Sequence, residues 1–230
     1  MLFFYRPYPC WYNKNKMLSF PRQVLFIVSV LATLSGLAEG ARAAGLFGMI
    51  ETASADFTPF PKWTDLLKRF FIEKGQREGN CASKEFNACH YARWQKFMDT
   101  VRDSPKDQQM SEVNRFMNEA KYIVDPINWR VNDYWATPGQ FFQKYGDCED
   151  YAIAKYLTLR ALGWPAEQMR VVILQDMNLK VAHAILAVRH EGRNMVLDNQ
   201  IAMVIEDHRI AHYRPIYSLN EEGWWRHRAP

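Results

Sequence analysis

The residues best able to do chemistry are the cysteine of Gly146-Asp147-Cys148-Glu149-Asp150-Tyr151-Ala152 and, downstream, His183 and Asp198. A cysteine, a histidine and an aspartate in that order supply a nucleophile, its base and a group that orients the base, which is what a cysteine hydrolase or acyltransferase requires. Cys148 stands at the start of a run with helical spacing (Ala152, Ile153, Tyr156, Leu159, Leu162), between Gly146 and Gly163. At the first turn of a helix the free N–H groups and the macrodipole favour a thiolate, and the same N–H groups can hold an oxyanion. The flanking carboxylates of Asp147, Glu149 and Asp150 act the other way, because nearby negative charge disfavours a thiolate. Their ordinary role is to cap the helix. A bound divalent cation would offset them, and calcium suits clustered carboxylate oxygens, although three such residues in four positions do not alone make a coordination loop. The imidazolium form of His183 would also help.

His183 and Asp198 must be brought together by a hairpin. Glu191-Gly192 is a two-residue turn that pairs His190 with Arg193. In that register Ile185 faces Asp198 and His183 faces the position of Gln200. His183 and Asp198 then become diagonal neighbours on one face, about 5.5–8 Å apart. A slip of one residue would separate them. The plainer alternative is a satisfied core histidine and a turn aspartate.

The remaining pattern predicts helices first and a sheet after. Helical spacing covers Trp63 to Lys74, Cys89 to Val101 and Ser111 to Val124, the last with Ser111 as cap, and Thr137-Pro138 opens a short helix. From Met169 the period changes to two. Strands are expected at Met169–Gln175, Val181–Arg189 and Asn194–Asp198, with further edges at Met203–Ile205 and Arg214–Tyr217. The fold class is therefore α+β, with helices packed on an antiparallel sheet. Tyr134 and Trp135, ahead of the cysteine helix, are candidates for a second oxyanion donor or for simple packing. Trp224-Trp225 reads as a partner patch or as tail aromatics folded back on the domain.

The chain has 230 residues, 48% hydrophobic and 23% charged, enough for one sizeable folded domain. Five basic residues and one acidic residue through Ala43 account for the whole net charge of +4, leaving 24 of each sign beyond it. The basic balance thus belongs to the leader and gives nucleic-acid binding no support. Arg22, the apolar run Val24–Leu34 and Ala41-Arg42-Ala43 have the form of an export signal, placing a leader at 1–43 and the domain at 44–230. Met17 is an alternative start. Of the four cysteines, Cys10 goes with the leader. Cys81 and Cys89 are close enough to pair in an oxidising compartment, with two free thiols or a zinc site using His90 as the competing readings. Cys148 is left as the odd, reactive thiol.

The blocks Thr137-Pro138-Gly139-Gln140-Phe141-Phe142, Gly146 to Ala152, Leu159-Arg160-Ala161-Leu162-Gly163, His183-Ala184 and Leu197-Asp198-Asn199 resemble the bacterial transglutaminase-like cysteine proteinases, over roughly residues 60–220. The resemblance implies a papain- and transglutaminase-like fold. It implies Cys148 as nucleophile, His183 as base and Asp198 as orienting acid. Members that release surface adhesins are periplasmic and calcium-dependent, which implies calcium on Asp147 and Glu149, with Asp150 as a further ligand. The implied substrate is the N-terminal region of a large surface adhesin, cut to disperse a biofilm. The implied partner is an inner-membrane cyclic di-GMP receptor that sequesters the protease. Two other functions fit the same residues: transamidation or deamidation of glutamine, and a non-enzymatic exported module whose acidic loop only holds calcium.

Overall fold

The alternating run from 169 to 197 folds into three adjacent antiparallel strands at the centre of the sheet. In this computed structural model, which describes residues 45–74, 89 and 92–230, the strands are β1 (Ile50–Ser54), β2 (Met169–Asp176), β3 (Val181–His190), β4 (Arg193–Leu197), β5 (Ile205–Glu206), β6 (Tyr213–Leu219) and β7 (Trp224–Arg228). They form a seven-stranded sheet in the order β1-β7-β6-β2-β3-β4-β5, with every pairing antiparallel. The β3–β4 register is the expected one: His190 pairs with Arg193 and Leu186 with Leu197. Its turn residues, Glu191 and Gly192, both have positive φ (50° and 77°), as a tight hairpin twisted to match its strands requires.

Six α-helices are described: α1 (Pro61–Glu73), α2 (Ala92–Val101), α3 (Lys106–Asn118), α4 (Asp125–Asn128), α5 (Pro138–Lys144) and α6 (Cys148–Ala161). The α+β class is as expected. The third helix differs at both ends, stopping at Asn118 rather than Val124. Ser111 lies inside α3, where its hydroxyl donates to the carbonyl of Asp107, and the helix starts just after Pro105. The charged and amide residues 106–109 hid that first turn from a reading based on apolar spacing. Strand β7 is not legible in the sequence because Trp224–Arg228 runs two tryptophans into three basic residues, with no period of two. Trp224 and Trp225 do fold back: Trp224 packs on Phe60, and the Arg170 guanidinium lies over the Trp225 ring at 3.7 Å. The leader at 1–43, the alternative start at Met17, and Cys10, Cys81 and His90 lie outside the described residues. No described helix is long and apolar enough to cross a membrane.

The central element is α6. It packs on β2 and β3 with one side and on α3 and α5 with others. Residues 148–159 are all buried, so the helix is enclosed all round rather than amphipathic. Glu149, Asp150, Lys155 and Thr158 are enclosed with the apolar residues. Polar side chains are held in such a place for capping, hydrogen bonding or chemistry, because burial without compensation is costly.

Gly146 sets the entry to this helix. A Cβ placed there would stand 2.1 Å from Oδ2 of Asp150. Only a hydrogen at that position lets the carboxylate of Asp150 fold back to accept from the N–H of Asp147, which closes the capping box of α6. Replacing Gly146 by Ala is expected to destabilise the fold by about 2 kcal/mol, measured as a lowered midpoint in urea unfolding.

Candidate active site

The site is assembled from the start of α6, strand β3 and the loop after β4. Cys148 is the first residue of α6 and is buried in the same cluster as Ala184, the neighbour of His183. Its Sγ lies 3.4 Å from Oε2 of Glu149. Each of the two described cysteines, Cys89 and Cys148, is in a disulfide. This corrects the expectation that Cys148 is left unpaired.

His183 and Asp198 meet as the hairpin register requires. The His183 Nε2 lies 2.9 Å from Oδ1 of Asp198, with both side chains fully buried. Burial pushes the Asp198 carboxyl up, but the charge of His183 and hydrogen bonds from His183, the Gln200 N–H and the Tyr213 hydroxyl outweigh it and hold it below the usual range. An ionised Asp198 accepts, so Nε2 carries the proton and Nδ1 is the basic nitrogen. The Gln200 amide nitrogen is 3.4 Å from Nδ1. Each Asp198 oxygen has a fixed donor: Oδ1 takes the Gln200 N–H at 2.8 Å, and Oδ2 takes the Tyr213 hydroxyl at 2.7 Å. Helix α3 fixes the loop from outside. The Asn118 amide donates to the Asp198 carbonyl (2.8 Å), and that of Asn114 donates to the Ala202 carbonyl (3.0 Å). Tyr213, Gln200, Asn114 and Asn118 were not found from the sequence. Nothing but the tertiary fold brings α3 and β6 to Asp198.

The carboxylates ahead of Cys148 separate into two roles. Asp150 is engaged in structure: Oδ1 accepts from the N–H of Ala136 (2.7 Å) and Oδ2 from that of Asp147 (3.4 Å). Asp147 and Glu149 instead join Asp125, and one oxygen from each lies within 4.8 Å of the others, all three residues buried. Asp125 arrives through a short parallel bridge between Tyr122 and Gly146, sealed by the Ile123 N–H on the Gly146 carbonyl at 2.9 Å. Its Oδ2 accepts from the N–H of Tyr134. One oxygen of each acid, and Oδ1 of nearby Asp133, has no hydrogen-bond partner. Sequence spacing could not find Asp125, which is 22 residues from Asp147. Of the two oxyanion candidates, Tyr134 has its hydroxyl taken by the Gln140 amide (2.9 Å). Trp135 packs edge-on against Trp63 and keeps an indole N–H without a partner.

Burial, reinforced by the charge of Asp147, pushes Asp125 up to about 7, and burial likewise pushes Asp147 up to about 6. Glu149 is driven well above its ordinary value by desolvation and then by the charges of Asp147 and Asp150; for Asp150 the causes are desolvation and then Asp147 and Asp125. At the spacing of this cluster each ionised pair repels by roughly 3–4 kcal/mol for an effective dielectric near 20. Unpaired, buried and mutually repelling oxygens on three converging acids are the donor set of a hard divalent cation. The residues present therefore fit calcium.

A transglutaminase-like arrangement, with a cysteine at the start of a buried helix and a His–Asp pair on the facing sheet, defines a cysteine protease of the papain and transglutaminase type. The sequence profile described as bacterial transglutaminase-like cysteine proteinase BTLCP matches residues 79–227, and the chain belongs to that family. Among solved structures it is similar to Legionella pneumophila LapG, at 30% identity and a TM-score of 0.56 over 70% of this chain and 87% of that one. It is equally similar to a structure titled calcium-bound LapG from the same organism, at 30% identity and a TM-score of 0.56 over 71% and 86% of the two chains. A third, titled EGTA-treated, matches at 29% identity and a TM-score of 0.57 over the same shares. No curated protein matches the chain by sequence.

Two outcomes are expected from this geometry. Because the folded acids bind protons more tightly than the unfolded chain, the metal-free protein loses stability as pH rises from about 4 through about 7. Thermal melts in chelator should show a lower Tm at pH 8 than at pH 5, and Asp125→Asn should raise the pH 8 value while leaving the pH 5 value nearly unchanged. Tyr213→Phe, which frees one oxygen of Asp198, should lower kcat of peptide cleavage about tenfold with KM little changed.

Proposed function

We propose that this protein is an exported, calcium-dependent cysteine endopeptidase that cuts the N-terminal region of a large surface adhesin and so releases cells from a biofilm. The observation that carries the reading is the union, at one helix start, of Cys148 with the buried, uncompensated acids Asp125, Asp147 and Glu149. Family membership and the calcium-bound and EGTA-treated forms of the similar LapG support the protease and metal parts. The export-type leader at 1–43 supports a periplasmic site of action. An inner-membrane cyclic di-GMP receptor that sequesters the protease is part of the same proposal, supported by the family resemblance.

Once Cys148 is reduced, His183 Nδ1 takes the thiol proton while Asp198 holds Nε2–H. The thiolate adds to the scissile carbonyl carbon, and backbone N–H groups at the start of α6 stabilise the oxyanion. His183 returns the proton to the leaving amine as the C–N bond breaks, giving a thioacyl-enzyme. Water, deprotonated by His183, then releases the acid product. Asp125, Asp147 and Glu149 would hold calcium. Bound there, it supplies positive charge that offsets the acids beside the thiolate and fixes the turn that presents it.

The test is cleavage of an N-terminal fragment of the host's largest surface adhesin by residues 44–230 in the presence of a thiol reductant. Cleavage with calcium, lost with a calcium-selective chelator, lost in Cys148→Ala and reduced at least tenfold in Asp125→Asn at limiting calcium, is the expected result. Persistence in chelator would remove the metal requirement. Failure of the folded, reduced protein to cut, with incorporation of an amine into glutamine substrates instead, would replace the protease reading with transamidation.

A further inference from the structure

His183 takes the thiol proton through Nδ1, which has one lone pair in the plane of the ring. That nitrogen already has a neighbour. The side-chain amide nitrogen of Gln200 stands 3.4 Å from it. Nε2 is committed to Asp198 at 2.9 Å, so Nδ1 is the acceptor and the NH2 end of the carboxamide donates to it. A lone pair that accepts from Gln200 is not offered to Cys148 at the same time.

Gln200 is fixed at its backbone and exposed at its side chain. Its own N–H donates to Oδ1 of Asp198 at 2.8 Å. Helix α3 holds the loop on both sides of it, through the Asn118 amide on the Asp198 carbonyl (2.8 Å) and the Asn114 amide on the Ala202 carbonyl (3.0 Å). His183 is fully buried, whereas Gln200 is exposed. An exposed carboxamide does not fill a core. Among the described residues, the partner its side chain finds is His183 Nδ1. A long side chain on a fixed backbone can turn away from that nitrogen for the loss of one neutral hydrogen bond. The leaving amine must come within hydrogen-bond reach of the base to receive its proton. Gln200, the thiol and the scissile nitrogen therefore compete for one place.

We propose that Gln200 is a positioning residue that restrains the base. Its carboxamide holds the Nδ1 lone pair until a substrate peptide displaces it, so that Cys148 gives up its proton with substrate at hand. The inference deepens the protease reading and rests on it for the role of Nδ1. It makes the loop after β4 act twice on His183: Asp198 holds Nε2–H from one side, and Gln200 covers Nδ1 from the other.

The test is the rate at which iodoacetamide alkylates Cys148 in the reduced protein with calcium, followed by mass spectrometry of the Cys148 peptide. The variants are Gln200→Ala and Gln200→Met, the second similar in length but without a donor. Both are expected to react about fivefold faster than wild type, the worth of one neutral hydrogen bond. On the adhesin fragment both should show a kcat/KM equal to wild type or higher. In a His183→Ala background, Gln200→Ala should change the alkylation rate by less than about twofold, because the gain runs through Nδ1. Wild-type alkylation rates in both variants, or the same acceleration without His183, would overturn the proposal. A faster Gln200→Ala beside an unchanged Gln200→Met would also overturn it, leaving bulk rather than a hydrogen bond. So would a tenfold loss of kcat/KM, which would make Gln200 a support of the imidazole. If wild type cuts nothing while both variants alkylate faster, the protease reading falls and the hold on Nδ1 stands.

Discussion

The start of α6 concentrates more buried negative charge than the helix terminus can neutralise. A helix N-terminus offers about half a positive charge. Here it faces Asp147, Glu149 and Asp150 in its own first turn and Asp125 from the preceding segment. Asp150 is satisfied by two backbone N–H groups, but the other three acids keep unpartnered oxygens. Much of the neighbouring structure serves this constraint. The bridge between Tyr122 and Gly146 delivers Asp125, the absence of a side chain at Gly146 admits the Asp150 carboxylate, and the N–H groups of Ala136 and Tyr134 are turned inward to donate to Asp150 and Asp125.

The same helix binds the acidic turn to the rest of the site. Because α6 is enclosed on every side, its first turn cannot shift without disturbing contacts to β2, β3, α3 and α5. On the opposite side, Asp198 is held by donors from β3, its own loop and β6, and α3 anchors the loop backbone. Cys148 and His183 are thus supported by separate sets of contacts that meet across α6 and β3.

Legibility from sequence followed the range of the interactions. The β3–β4 register was readable because Glu191-Gly192 fixes a hairpin locally, and parity then decides which side chains share a face. The cap of α5 by Thr137 and the extent of α6 were readable for the same reason: each is decided within a few residues. The start of α3 was not readable, since a polar first turn carries no apolar period. Strands β1 and β7 were missed because their pairing joins residues near opposite ends of the described chain. Among the acids, Asp147 and Glu149 stood out by proximity to Cys148. The replacement of Asp150 by Asp125 in the converging group depended on which carboxylate the capping box consumes.

By itself the sequence determined the identity and order of the reactive residues, the helix that presents the cysteine and the hairpin that joins His183 to Asp198. These are properties of short segments whose period, turns and caps are set by neighbouring residues. The tertiary structure alone decided which acids converge and that Tyr213 and Asn118 hold Asp198. Each of these joins segments distant along the chain, where charge, burial and hydrogen bonding are settled by packing and leave no local pattern.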